Sequence, residues 1–164
     1  MKAAIAFIVA VLLSVPALAQ GTIFVVRHAE RADAGTSGAS MMATDPNLSD
    51  AGRARAEALA SMLRDAKITA IYTTEYNRTK QTAEPLAKAL AIPATVVGAR
   101  DMKGLIEKVK AGGNALVVGH SNTVGTILEA LGVSEKIALG EDDYDNLFVV
   151  VPGEKPTLVR LRFE

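Results

Sequence analysis

The chain has 164 residues, with 18 Lys and Arg against 18 Asp and Glu, no cysteine, no tryptophan and 4% aromatic residues. That length gives room for one domain. The even charge, with no basic run or basic–aromatic stripe, argues against nucleic acid as a partner, and the lack of cysteine excludes disulfides. The core must then rest on Ala, Val, Leu and Ile.

In chain order, Lys2 precedes an almost wholly apolar stretch from Ala3 to Val15, broken by Pro16 and followed by Ala17-Leu18-Ala19. This pattern predicts a secretory signal cut after Ala19, with residues 20–164 as the mature domain, exported to the periplasm or beyond. The apolar run is short for a bilayer span, so no stable membrane association is expected after cleavage; an uncleaved anchor is the alternative.

Thr22 to Arg27 is an unbroken β-branched run, the pattern of a buried strand in a parallel sheet. A polar loop from His28 to Asn47 follows, in which Met41 and Met42 read as loop packing. Ser49 is a plausible N-cap for a helix over 49–66, whose Leu59, Met62, Leu63 and Ala66 recur at helical spacing. Ala70 to Thr74 reads as a second strand and Arg78 to Leu90 as a second helix, with Asn77 as a possible cap and Pro85 expected to kink or split it near Glu84. Thr95 to Val97 is a short third strand, and Asp101 to Lys110 a helix. Ala115 to Gly119 is the clearest buried strand, leading into a helix from Ser121 to Leu131 that Gly132 ends. Leu147 to Val151 and Thr157 to Phe163 are two final strands, with Pro152 and Gly153 in a hairpin connection. Strand and helix alternate through most of the chain, so the expected fold is a three-layer α/β sandwich with a mostly parallel central sheet.

The chain has two histidines, and both directly follow a strand: His28 after Thr22–Arg27 and His120 after Ala115–Gly119. In a parallel α/β sheet those strand ends are where ligands bind. Arg27 precedes His28, and Arg78 opens the helix after the strand at Ala70. Guanidinium forks bind phosphate oxygens in pairs, and the amides of Ser121 and Asn122, at a helix N-terminus, suit an anion. Such a cluster fits a dianionic phosphoryl group, and a histidine can carry that group covalently. Read singly, Arg27 and Arg78 are also compatible with surface ion pairs.

Four blocks carry a resemblance. Val26-Arg-His-Ala-Glu30 resembles the Arg-His-Gly signature of the histidine phosphatase superfamily, the phosphoglycerate-mutase-like fold. Asn47-Leu-Ser-Asp-Ala-Gly-Arg-Ala-Arg-Ala56 is similar to that family's Leu-Thr-x-x-Gly-x-x-Gln-Ala helix opening. Tyr72 to Ala83 resembles its Ser-x-x-x-Arg-Thr-x-Gln-Thr-Ala segment, and Val117 to Val124 its second-histidine block. The blocks come in the family's order. The resemblance implies His28 as phosphorylated nucleophile, Arg27, Arg78 and His120 as the phosphate pocket, with the amides of Ser121 and Asn122 assisting, and no metal or other cofactor.

Two departures stand out. Ala29 replaces the usual Gly and is expected to put a methyl beside the pocket. The stretch between Arg78 and His120 is too short for the long lid of many relatives, so an open pocket is expected, as in the short phosphohistidine phosphatases. The general acid is open between Glu30, which could instead pair with Arg31 or Arg27, and Asp101, which could instead cap its helix. Asp142, Asp143 and Asp145 read as a solvated turn, and Tyr72 and Tyr76 as core packing. The expected partner is a phosphorylated small molecule or phosphoprotein. The expected activity is phosphomonoester hydrolysis through His28; the alternatives are a phosphoryl-transferring mutase and a non-catalytic phosphate-binding module.

Overall fold

The computed structural model describes residues 21–32 and 45–163. The expected signal segment, the Met41-Met42 pair and most of the first loop lie outside them.

Among the described residues six strands form one sheet in the order β3-β2-β4-β1-β5-β6. They are β1 (Ile23–Arg27), β2 (Ala70–Thr73), β3 (Thr95–Val96), β4 (Ala115–Gly119), β5 (Asn146–Val151) and β6 (Thr157–Arg162). The strands β1, β4, β2 and β3 run parallel; β5 is antiparallel to β1, and β6 is antiparallel to β5. Four helices connect them: α1 (Asp50–Leu63), α2 (Asn77–Leu90), α3 (Met102–Ala111) and α4 (Ser121–Ala130). Among the described residues no helix is long and apolar enough to cross a membrane.

The central strands are apolar on both faces, as a doubly covered sheet demands. Val25, Val117 and Phe148 pack with Val109 of α3 and Val124, Ile127 and Leu128 of α4 on one side. Val26, Ile71, Leu116, Val118 and Leu147 pack with Leu59 and Leu63 of α1 and Ala83 and Leu86 of α2 on the other. Fully burying one such aliphatic side chain contributes about 1.5–3 kcal/mol, and in a chain without disulfides these two layers hold the sheet edges in place.

The caps follow sequence logic at Ser49, whose hydroxyl accepts from Gly52 N, and at Asp101, whose carboxylate accepts from Gly104 N. Gly132, with φ of 92°, ends the last helical turn in a conformation that suits glycine. Two local expectations are corrected. The cap of α2 is Tyr76, with no side-chain bond, and not Asn77. Pro85 does not split α2, because Thr82, Ala83 and Leu86 are buried on either side of it and sheet packing keeps the helix running through.

Candidate active site

The parallel register sets Arg27 beside Gly119, so the next residue of each strand, His28 and His120, leaves the sheet at the same edge. The backbone ties them together: His28 N donates to Gly119 O at 2.9 Å. Their rings lie 5.4 Å apart, edge to face at 65°. Both are buried, with 4% and 7% of their surface exposed.

His28 Nδ1 lies 2.8 Å from Ala29 O. A carbonyl can only accept, so Nδ1 carries the hydrogen, and the lone pair of the neutral ring is on Nε2. Burial is the main reason the His28 pKa falls to about 3; the Ala29 bond opposes this, and the charges of His120, Arg78 and Arg27 add to it. His120 falls to about 4, again chiefly through burial and then through Arg78, with Glu75 opposing. Both rings are therefore neutral at pH 7.

Arg27 is buried, and its Nη1 donates to Gly140 O at 2.7 Å and Glu141 O at 2.9 Å. Its guanidinium stacks 4.0 Å from the Tyr144 ring, while its Nε is buried with no partner among the described residues. Arg78, in the first turn of α2, stacks 4.3 Å from the Tyr76 ring and reaches Asp45 at 3.5 Å. Each arginine is thus immobilised by a tyrosine, which lowers the entropy lost when it meets an anion. Tyr144 lies 6.1 Å from His28 and Tyr76 lies 5.3 Å from His120, so the two rings flank the histidine pair. Nothing in the sequence marks Tyr144 for this role, and Tyr76 is not the core residue expected; Tyr72 is.

Ser121 opens α4 with His120 as its N-cap. The amides of Ser121 and Asn122 therefore have no intrahelical partner and face the N-terminal end of the helix. Their side chains line an open groove along α4 with Ile137, Ala138 and Leu139.

The two acid candidates go elsewhere. Glu30 accepts from Arg55 through both carboxylate oxygens, at 2.7–3.0 Å. Burial alone would raise its pKa, but the Arg55 hydrogen bonds and charges outweigh this and hold it below the usual value. The structure thus pairs Glu30 with Arg55 and with neither Arg31 nor Arg27. Asp101 caps α3. Asp143 and Asp145 fix their own turn, accepting from Gly140 N and from Arg162 and Asn146. The Ala29 side chain is 1% exposed and packs with Leu48 and Ala56, so its methyl enters a small core and not the pocket.

Residues around Arg78 tie it to the neighbouring segments. Thr82 Oγ1 donates to Arg78 O at 2.7 Å and accepts from Ala29 N at 2.9 Å, joining the loop that carries His28 to the helix turn that carries Arg78. Gln81 accepts from Leu48 N and donates to Asn47, pinning the segment that enters α1. Asp45, which the sequence did not single out, accepts from Asn77 N with both oxygens at 2.9 Å. Among the described residues no three His, Asp or Glu side chains converge as a metal site would require.

A doubly covered α/β sheet that delivers two imidazoles and two guanidiniums to its C-terminal strand ends defines a class: phosphoryl-handling proteins built around a histidine pair. The model of the histidine phosphatase superfamily (branch 1) matches residues 23–108, and the chain belongs to that superfamily. Membership supports phosphatase activity in general. No curated protein matches the chain. Among solved structures it is similar to the protein histidine phosphatase SixA complexed with tungstate, with 18% identity, a TM-score of 0.64, and 86% of this chain and 96% of that one covered. It is also similar to mycobacterial glucosyl-3-phosphoglycerate phosphatase complexed with VO3 (13% identity, TM-score 0.66, 87% and 98% covered). A third similar structure is mycobacterial hydrolase 2 (13%, 0.65, 84% and 88%). At these identities the likeness fixes the fold.

Proposed function

We propose that the protein is a metal-independent phosphatase in which His28 Nε2 attacks phosphorus. The carrying observation is the Nδ1–Ala29 O bond, which leaves the Nε2 lone pair available on a neutral ring. The P–O or P–N bond of the leaving group breaks as the N–P bond forms. Water then attacks the phosphohistidine, releasing phosphate and returning the electron pair to Nε2. Arg27, Arg78 and the first amides of α4 hold the phosphoryl oxygens, whose growing charge they stabilise at a water-poor strand edge, and His120 joins them once the dianion beside it favours its imidazolium, whose second N–H can then donate to a phosphoryl oxygen.

With Glu30 and Asp101 engaged elsewhere, the favoured substrates have leaving groups that need no enzyme acid. A phosphohistidine side chain, the group named for SixA, qualifies, because its second ring nitrogen can carry its own proton and the ring departs neutral. An alkyl phosphate such as glucosyl-3-phosphoglycerate, named for the mycobacterial enzyme, leaves as an alkoxide and fits less well. The test is phosphate release from an activated aryl phosphate by the full chain, in the presence of chelator, with acid-labile phosphoprotein trapped on quenching. His28→Ala must lose both signals; activity retained in that variant refutes the nucleophile. A binding module would show neither signal in the wild type, and a mutase would need a second phosphoryl acceptor. The same reading keeps export: N-terminal sequencing of protein secreted from a bacterial host should begin at Gln20, and a chain retaining Met1 would refute cleavage.

A further inference from the structure

Two threonines of the Arg78 block, Thr74 and Thr79, have hydroxyls with no part in the chemistry above. Both are buried, Thr79 completely. Thr74 Oγ1 lies 3.0 Å from His120 Nε2 and 2.9 Å from Thr79 Oγ1. Thr79 Oγ1 in turn lies 2.8 Å from Tyr76 O and 3.2 Å from Thr74 O.

The direction of this chain follows from counting hydrogens. A hydroxyl has one to give. Thr79 sits in the first turn of α2 and faces two backbone carbonyls, which only accept, so its hydrogen goes to a carbonyl, with Tyr76 O the nearer. Thr79 Oγ1 can then only accept from Thr74. Having spent its hydrogen there, Thr74 Oγ1 can only accept from His120. We infer that Thr74 and Thr79 form a one-way hydroxyl relay that fixes His120 as the Nε2–H tautomer and holds its ring against His28. The two histidines are then locked in opposite tautomers: His28 with Nδ1–H on Ala29 O, His120 with Nε2–H on Thr74.

This makes Thr74 and Thr79 positioning residues; they act through His120. A neutral imidazole without an acceptor for its N–H exchanges tautomers and flips, and a buried N–H left unpaired is costly. The relay removes that freedom, and its far end is the carbonyl of Tyr76, the residue whose ring meets His120 edge to face and lies against the Arg78 guanidinium. One short segment, residues 74–79, therefore sets the second histidine and the second arginine together. The catalytic consequence rests on the phosphatase reading above; the tautomer does not.

With only two histidines in the chain, long-range proton–nitrogen correlation on the full protein labelled with nitrogen-15 histidine reads both tautomers without crowding. The expected wild-type pattern is a protonated Nε2 on His120 and a protonated Nδ1 on His28. Thr74→Val keeps the side-chain shape but gives His120 averaged nitrogen signals, with His28 unchanged as the internal check on folding, and lowers aryl phosphate turnover on the order of tenfold in kcat. Thr74→Ser restores both. His120 protonated on Nδ1 in the wild type overturns the relay outright, and needs no variant to fold. So does a Thr74→Val protein with the wild-type nitrogen pattern. The assigned tautomers in a wild type that releases no phosphate support the relay and refute the reaction.

Discussion

Lowering the pH from 7 to 5 should weaken the fold through His28 and His120, before any carboxylate takes part. Both have an ordinary pKa of 6.5, brought down in the folded protein to about 3 and about 4. A base whose folded pKa is depressed is protonated in the unfolded chain first. Stability is therefore full above about pH 6.5, falls as the pH drops below it, and levels only when the folded pKa is reached. The slope is about 1.4 kcal/mol per pH unit and per group. From pH 6.5 to 5 each histidine thus costs about 2 kcal/mol and the pair about 4 kcal/mol, against a total stability that for domains of this kind is about 5–15 kcal/mol. Glu30 and Glu75 have lowered values from an ordinary 4.5, so their losses fall below this window. Urea unfolding at pH 7, 6 and 5 reads the effect, with a His28→Gln, His120→Gln double variant expected to stay nearly flat. A wild-type loss below about 1 kcal/mol between pH 7 and 5, or the same slope in the double variant, refutes the account of two buried neutral imidazoles. Inorganic phosphate or vanadate should flatten the wild-type curve, because an adjacent anion favours the imidazolium forms.

Three further outcomes follow from the geometry. Glu30→Gln should lower stability by about 1.5–3 kcal/mol through the weakened Arg55 pair, yet leave the dependence of turnover on leaving-group pKa unchanged in a series of aryl phosphates; a selective loss on poor leaving groups would restore Glu30 as the acid. Gly52→Ala places a Cβ 2.2 Å from Glu30 O, on backbone that cannot yield, and should cost about 1–3 kcal/mol and reduce kcat by shifting the loop that carries His28; unaltered urea midpoint and turnover would contradict that packing. Thr82→Val leaves the buried Ala29 N–H without its acceptor, at a cost of about 1–3 kcal/mol, and should lower kcat more than it changes the unfolding slope with urea.

The strand ends were readable because they rest on local pattern. A short apolar run leading to His28, and another leading to His120, locate both imidazoles without any knowledge of strand order. Ser49 and Asp101 were readable as caps for the same reason, since the amides they serve lie three residues on. What the sequence could not reveal lies at long range. Glu30 finds Arg55 across 25 residues, Arg27 finds the carbonyls of Gly140 and Glu141 across more than a hundred, and Tyr144 reaches Arg27 from the loop before β5. Nothing in the neighbourhood of these residues marks their partners. Pro85 misled for the converse reason: its local cost is real, but Ala83 and Leu86 are held by the sheet.

These long-range pairings also bear on the chemistry. Among the described residues Glu30, Asp45, Glu75 and Asp101 are each already an acceptor: Glu30 for Arg55, Asp45 for Asn77 N, Glu75 for Ala99 N and Asp101 for Gly104 N. These bonds order the loops around His28 and Arg78. What the site concentrates instead is positive charge, two guanidiniums held by tyrosine rings, beside two imidazoles kept neutral by burial. In the reaction proposed above, that combination would stabilise a phosphoryl group passing from its leaving group to nitrogen and would supply no proton to a departing oxygen. Selectivity would then come from the substrate's own leaving group, which would match His28 better to phosphoramidates and aryl esters than to alkyl phosphates.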